Sequence, residues 1–164
     1  MKKISIIVPA YNEEESIPYL EKRLVALMDN MKNYEFEVLF VNDGSKDKTL
    51  ELIKELRKKD ERFCYVNFSR NFGKEIAMIA GLDYATGDAI ILIDADLQDP
   101  PELIPELVKY WEQGYDDVYA KRKSRKGETF LKKFTSKMYY KVLQSLTNVE
   151  IQKDTGDFRL LDRR

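Results

Sequence analysis

The chain has 164 residues, 43% of them hydrophobic, with 28 basic side chains against 29 acidic ones and no histidine. That is enough for one packed domain and too little for two large ones, and the near-zero net charge provides no global attraction to nucleic acid. Without histidine, imidazole-based zinc sites and Ser–His–Asp triads are excluded, so any chemistry rests on carboxylates and cations.

In chain order, Ile4 to Val8 is an apolar run that reads as a strand and ends in Pro9-Ala10-Tyr11-Asn12-Glu13. Ile17, Leu20, Leu24, Leu27, Met28 and Met31 then recur at steps of three and four, which predicts an amphipathic helix with Glu13, Glu14 and Glu15 near its positive end. Val38 to Val41 reads as a second strand, followed by Asn42-Asp43-Gly44-Ser45, and Leu50, Ile53 and Leu56 mark a second helix. Phe63 to Phe68 is a third strand carrying the sole cysteine, Cys64, which is expected as a buried thiol in a reducing compartment.

Ser69-Arg70-Asn71-Phe72-Gly73-Lys74 leads into a helix over Ile76 to Tyr84. A strand over Ala89 to Ile93 ends in Asp94-Ala95-Asp96-Leu97-Gln98-Asp99; a helix over Leu103 to Trp111 follows Pro100 and Pro101, and Asp117 to Ala120 reads as a further strand. Largely apolar strands alternating with helices predict a layered α/β fold with a mostly parallel sheet. The start of the chain lacks the features of a secretion signal, and no 18 apolar residues run together.

After Ala120 the composition shifts. From Lys121 to Lys141 there are nine basic side chains against one acidic, Glu128. Phe130, Phe134, Met138, Val142 and Leu146 share one helical side, with Lys133 and Lys137 along its border. Such a stretch either lies on anionic lipid or packs its apolar side on the core.

Ligands of an open parallel sheet collect beyond the carboxyl ends of its strands, which is where the polar motifs stand. Asp94, Asp96 and Gln98 form a hard-oxygen set suited to Mg²⁺ or Mn²⁺, and equally a solvated cap of the following helix. Asn42 to Ser45 fits a tight turn and cap as well as a site. Ser69 to Lys74 fits a glycine turn with a solvated lysine, or an anion site near a helix start. Neither a G-x-G-x-x-G after the first strand nor a G-x-x-x-x-G-K-[ST] is present, which argues against a dinucleotide dehydrogenase and a P-loop NTPase.

Taken together, Pro9-Ala-Tyr11-Asn12-Glu13, Asn42-Asp43-Gly44-Ser45, Asp94-Ala-Asp96-Leu-Gln98-Asp99 and Thr155-Gly156-Asp157-Phe158-Arg159-Leu160 resemble family 2 glycosyltransferases of the polyprenyl-phosphate type. The resemblance runs over almost the whole chain. It implies a GT-A nucleotide-diphospho-sugar transferase fold in a single domain, with residues 1–120 binding donor and metal and residues 121–164 facing acceptor and membrane.

By the same resemblance Pro9, Tyr11, Glu13 and Asp43 surround the nucleoside of a UDP- or GDP-sugar, and Asp94, Asp96 and Gln98 hold Mg²⁺ or Mn²⁺. Lys74 is expected on the donor side, Arg122 and Arg125 at phosphate on the acceptor side, and Asp157 near the acceptor, a polyprenyl phosphate. Family members commonly continue into transmembrane helices, so the chain is expected to be the catalytic part of a membrane-anchored, cytoplasm-facing protein able to form homo-oligomers. A polysaccharide or soluble acceptor, and a non-catalytic nucleotide-sugar binding module, are the competing readings.

Overall fold

The computed structural model describes residues 1–121 and 155–164; Arg122, Arg125 and the basic stretch with Phe130 to Leu146 lie outside the described residues. In chain order the elements are β1 (Lys2–Ala10), α1 (Ile17–Asn30), β2 (Tyr34–Asn42), α2 (Thr49–Lys59), β3 (Phe63–Asn67) and α3 (Lys74–Tyr84). There follow β4 (Ala89–Leu92), a 3-10 turn (Pro101–Leu103) running into α4 (Ile104–Glu112), β5 (Asp117–Lys121) and β6 (Thr155–Asp162). Met1–Tyr119 and Asp157–Arg164 form one compact unit.

The six strands lie in the order β3-β2-β1-β4-β6-β5. β1 is parallel to β2 and β4, and β2 is parallel to β3; β6 runs antiparallel to β4. Ile4, Ile6, Ile7 and Val8 of β1 are all fully buried, as expected of a strand covered on both faces. α1 and α2, in the crossovers from β1 through β2 to β3, pack on each other, while α3, in the return from β3 to β4, packs on Ile7 of β1; with crossovers right-handed, as is the rule, the two sets cover opposite faces.

On that second face α3 approaches so closely that a Cβ on Gly81 would stand 2.3 Å from Cγ2 of Ile7. Alanine ordinarily favours a helix over glycine by about 1 kcal/mol, but here it forces the fully buried Ile7 to move. Gly81→Ala is therefore expected to lower stability by about 1–3 kcal/mol, read from urea unfolding.

The elements differ from the sequence expectations mainly at their ends. β2 starts at Tyr34 rather than Val38, because pairing of Lys2 through Ser5 with Tyr34 through Glu37 draws a polar-alternating segment into the sheet. α1 starts at Ile17, so Glu13 to Glu15 precede its first turn, and the Glu13 carbonyl accepts from Ser16 and Ile17 N–H instead. Cys64 is half-buried rather than buried, because β3 is an edge strand. β6 is a strand beyond those the sequence pattern predicts; Phe158 and Leu160 are buried while Arg159 and Leu161 are less so, a period of two at the sheet's antiparallel end.

At the amino ends of the strands the Glu37 carboxylate accepts from the buried Ser5 hydroxyl and from the Thr86 N–H and hydroxyl, and pairs with Lys3 at 2.8 Å. Burial pushes Glu37 up, but the bonds from Lys3, Ser5 and Thr86 outweigh it and hold the carboxyl down at about 2. A depressed folded-state value stabilises above the unfolded value near 4.5, and that stabilisation disappears as pH falls toward about 2. With the Glu37 side chain only 14% exposed, on the order of 2–3 kcal/mol is expected to be lost across that window. Glu37→Gln should flatten this part of the curve of unfolding free energy against pH.

Candidate active site

The carboxyl ends of β1, β2 and β4 and the start of α3 enclose a cleft of about 390 Å³ lined by Pro9, Tyr11, Glu13, Asp43, Lys74, Asp94 and Asp96, among others. Of the residues singled out from the sequence, these seven come together in one place, and Asp157 of β6 reaches Lys74 beside them. Gln98 lies on the same loop as Asp96, while Arg122 and Arg125 are outside the described residues.

Two loops are sewn together to make one wall. Asn12 N–H donates to the Ser45 hydroxyl at 3.0 Å and Glu13 N–H to the Thr49 hydroxyl at 2.8 Å; in return Lys46 N–H donates to the Asn12 side-chain oxygen at 2.8 Å. Asn12 sits at φ 54, a left-handed conformation its short side chain tolerates. Thr49, fully buried, is a part of this wall that sequence reasoning missed; its place right after the Asp43 turn was the available signal.

Asp43 is 3% exposed, and its carboxylate faces inward to the β3–α3 loop. It accepts from Phe72 N–H at 2.7 Å, Gly73 N–H at 3.0 Å and the Asn71 side-chain amide at 3.0 Å. Gly44, at φ 68, allows this approach: a Cβ there would fall 2.3 Å from the Arg70 carbonyl carbon. One carboxylate thus fixes the chain just before Lys74.

Asp94 and Asp96 follow β4. Asp96 is exposed, and one of its oxygens accepts from Gln98 N–H at 3.1 Å, closing a turn around Leu97. Leu97 has φ 64, a region a branched side chain rarely enters, so the turn is held in a costly conformation that keeps Asp96 outward.

Asp157 arrives from β6. The β4–β6 register pairs Leu92 with Arg159 and Ile91 with Leu160; counted two residues further, it sets Asp94 opposite Asp157. The Lys74 ammonium joins them, 2.6 Å from one Asp94 oxygen, 2.8 Å from the other, and 2.7 Å from Asp157. Burial works against the charge on Lys74, but its hydrogen bonds to Asp157 and Asp94 prevail and raise it above the usual lysine value. The ammonium therefore stays charged throughout the physiological range.

The cleft so built sets the carboxylates of Glu13, Asp94 and Asp96, the Lys74 cation and turn backbone at the carboxyl end of the parallel strands, where ligands of such sheets collect. The molecule is similar to known proteins. An uncharacterized glycosyltransferase of Synechocystis sp. is 54% identical over 162 residues, which cover 99% of this chain and 51% of the relative. A prophage bactoprenol glucosyl transferase homolog of Escherichia coli is 49% identical over 161 residues, covering 98% of this chain and 52% of the relative. The chain thus spans about half the length of these curated relatives.

Among solved structures, S. aureus TarS in complex with UDP-GlcNAc superposes with a TM-score of 0.63 at 26% identity, over 77% of this chain and 36% of that one. The mixed sheet flanked by helices is the GT-A fold of these glycosyltransferases. A family model described as glycosyl transferase family 2 matches residues 5–164, and with relatives near half identity over almost its full length the chain belongs to that family.

Proposed function

We propose that this domain moves a hexose from a UDP- or GDP-sugar to a polyprenyl phosphate at the cytoplasmic face of a membrane, inverting the anomeric carbon. The observation that carries the reading is the meeting of Lys74, Asp94 and Asp157 beside a cleft that also contains Pro9, Tyr11, Glu13 and Asp43. Relatives named bactoprenol glucosyl transferase support a lipid-phosphate acceptor, and the basic stretch from Lys121 to Lys141 supports work beside anionic lipid.

Pro9, Tyr11 and Glu13 are assigned to the nucleoside end, with Asp43 holding the loop that borders it. Asp94 and Asp96 offer only hard oxygen donors, and among the described residues no three acidic, Cys or His side chains enclose a cation. That set fits Mg²⁺ or Mn²⁺ completed by Gln98 and by phosphate oxygens of the donor rather than by a protein cage. Such an ion supplies neutralisation of the charge that develops on the departing diphosphate.

In the transfer a phosphate oxygen of the acceptor bonds to the anomeric carbon as the bond from that carbon to the nucleoside diphosphate breaks. A phosphate monoester has a second pKa of about 6, so it arrives largely dianionic and attacks without giving up a proton. Asp157 then orients the acceptor side instead of acting as a base, and Arg122 and Arg125 are assigned to the phosphate charge.

The test is label transfer from radiolabelled UDP- and GDP-sugars, with Mn²⁺ or Mg²⁺, to undecaprenyl phosphate. Label extracted into the organic phase is expected. Label found only on a water-soluble glycan, or donor binding without any transfer, would overturn the reading.

A further inference from the structure

Lys74 has two properties that a solvated lysine lacks. Its position is set from behind, because Asp43 accepts from the N–H groups of Phe72 and Gly73 immediately before it. Its ammonium is also shared, within 2.8 Å of two carboxylates, Asp94 just past the end of β4 and Asp157 in β6, which the β4–β6 register continued two residues beyond Leu92 and Arg159 sets opposite each other. Two carboxylates brought to facing positions repel unless a cation lies between them, and here the cation belongs to the chain itself.

We propose that Lys74 is a resident stand-in for the divalent cation. In the donor-free protein it is shared by Asp94 and Asp157; when the metal and donor take Asp94, like-charge repulsion moves the ammonium to Asp157 alone, on the acceptor side. Lys74 is thus a positioning residue that couples occupancy of Asp94 to the state of Asp157. The coupling is reciprocal: whatever draws Lys74 toward Asp157 eases metal binding at Asp94, and the reverse. The inference rests on Asp94 being a metal ligand, as the proposed function has it.

The experiment is a double-mutant cycle read by Mn²⁺ affinity alone, without donor, from the electron paramagnetic resonance signal of free Mn²⁺. Lys74→Met is expected to tighten Mn²⁺ binding about five- to tenfold, since it removes a competing positive charge. Asp157→Asn in the wild-type background confines the ammonium to Asp94 and is expected to weaken Mn²⁺ binding about tenfold; in the Lys74→Met background it should change affinity no more than about twofold. Equal effects of Asp157→Asn in the two backgrounds would mean plain charge removal and would overturn the role of Lys74 while leaving the metal site intact. Because donor phosphates complete the site, the cycle is repeated with saturating UDP or GDP; absence of Mn²⁺ binding in both wild type and Lys74→Met under both conditions would remove the metal reading and the stand-in with it, whereas binding gained only in Lys74→Met would support the stand-in. Lys74 is 39% exposed at the first position of a helix, so Met is tolerated there; Lys74→Gln, checked by thermal melting, provides a second variant with the same expected direction.

Discussion

Asp94→Ala is expected to lower sugar transfer roughly a thousandfold while leaving the folded protein within about 1 kcal/mol of wild type. The two effects separate because of where the side chain lies. Asp94 is a quarter exposed and pairs with a lysine that keeps a second partner, Asp157, so its loss strands no buried charge. Its contribution falls on the transition state, where the leaving diphosphate gathers negative charge next to the metal it would help to hold. The measurement is kcat/KM for transfer alongside urea unfolding of the same preparation. A large loss of stability with only proportional loss of activity would make Asp94 a structural residue.

Asp43→Ala is expected to behave in the opposite way, costing about 2–4 kcal/mol of stability. The buried carboxylate accepts three N–H bonds, two of them from the backbone at Phe72 and Gly73. Removing it leaves those donors without an acceptor in a place that water reaches poorly, because Gly44 is packed against Arg70 and Asn71. Asparagine is not a remedy, since its amide N–H groups would face donors. Donor affinity should fall as well, as Lys74 loses the loop that places it. Urea unfolding and thermal shift with nucleotide sugar report the two effects separately; unchanged stability in Asp43→Ala would show the loop to be held by other means.

Much of the cleft lining is legible in the sequence for a simple reason: its residues stand at the ends of apolar strands, and in a parallel sheet all such ends point the same way. Pro9, Asp43 and Asp94 each lie within two residues of the end of a strand. What could not be read was set by contacts between distant segments. Asp43 stands in a run that also spells an ordinary turn, and nothing local says that its carboxylate is used by Phe72 and Gly73. β6 gives no clear signal because its alternation is short and is interrupted by Leu161, and its pairing with β4 spans a long stretch of chain. Lys74 was visible as a cation near a helix start, but its bridge depends on the β4–β6 register, which no local pattern encodes.

That register gives a residue far from the cleft a say in its geometry. A slip of β6 by two positions would preserve its buried-exposed alternation, so hydrophobic burial alone does not forbid it. Asp162 is what distinguishes the two alignments: it pairs with Ala89, accepts from the Trp111 indole N–H, and is followed by Arg163, whose N–H bonds to the Asp88 carbonyl. Five residues of strand, about 17 Å, separate it from Asp157. Asp162 and Trp111 therefore serve as a gauge block at one end of the ladder, setting the spacing of two carboxylates at the other, and wear at that end would appear first as misaligned chemistry instead of unfolding.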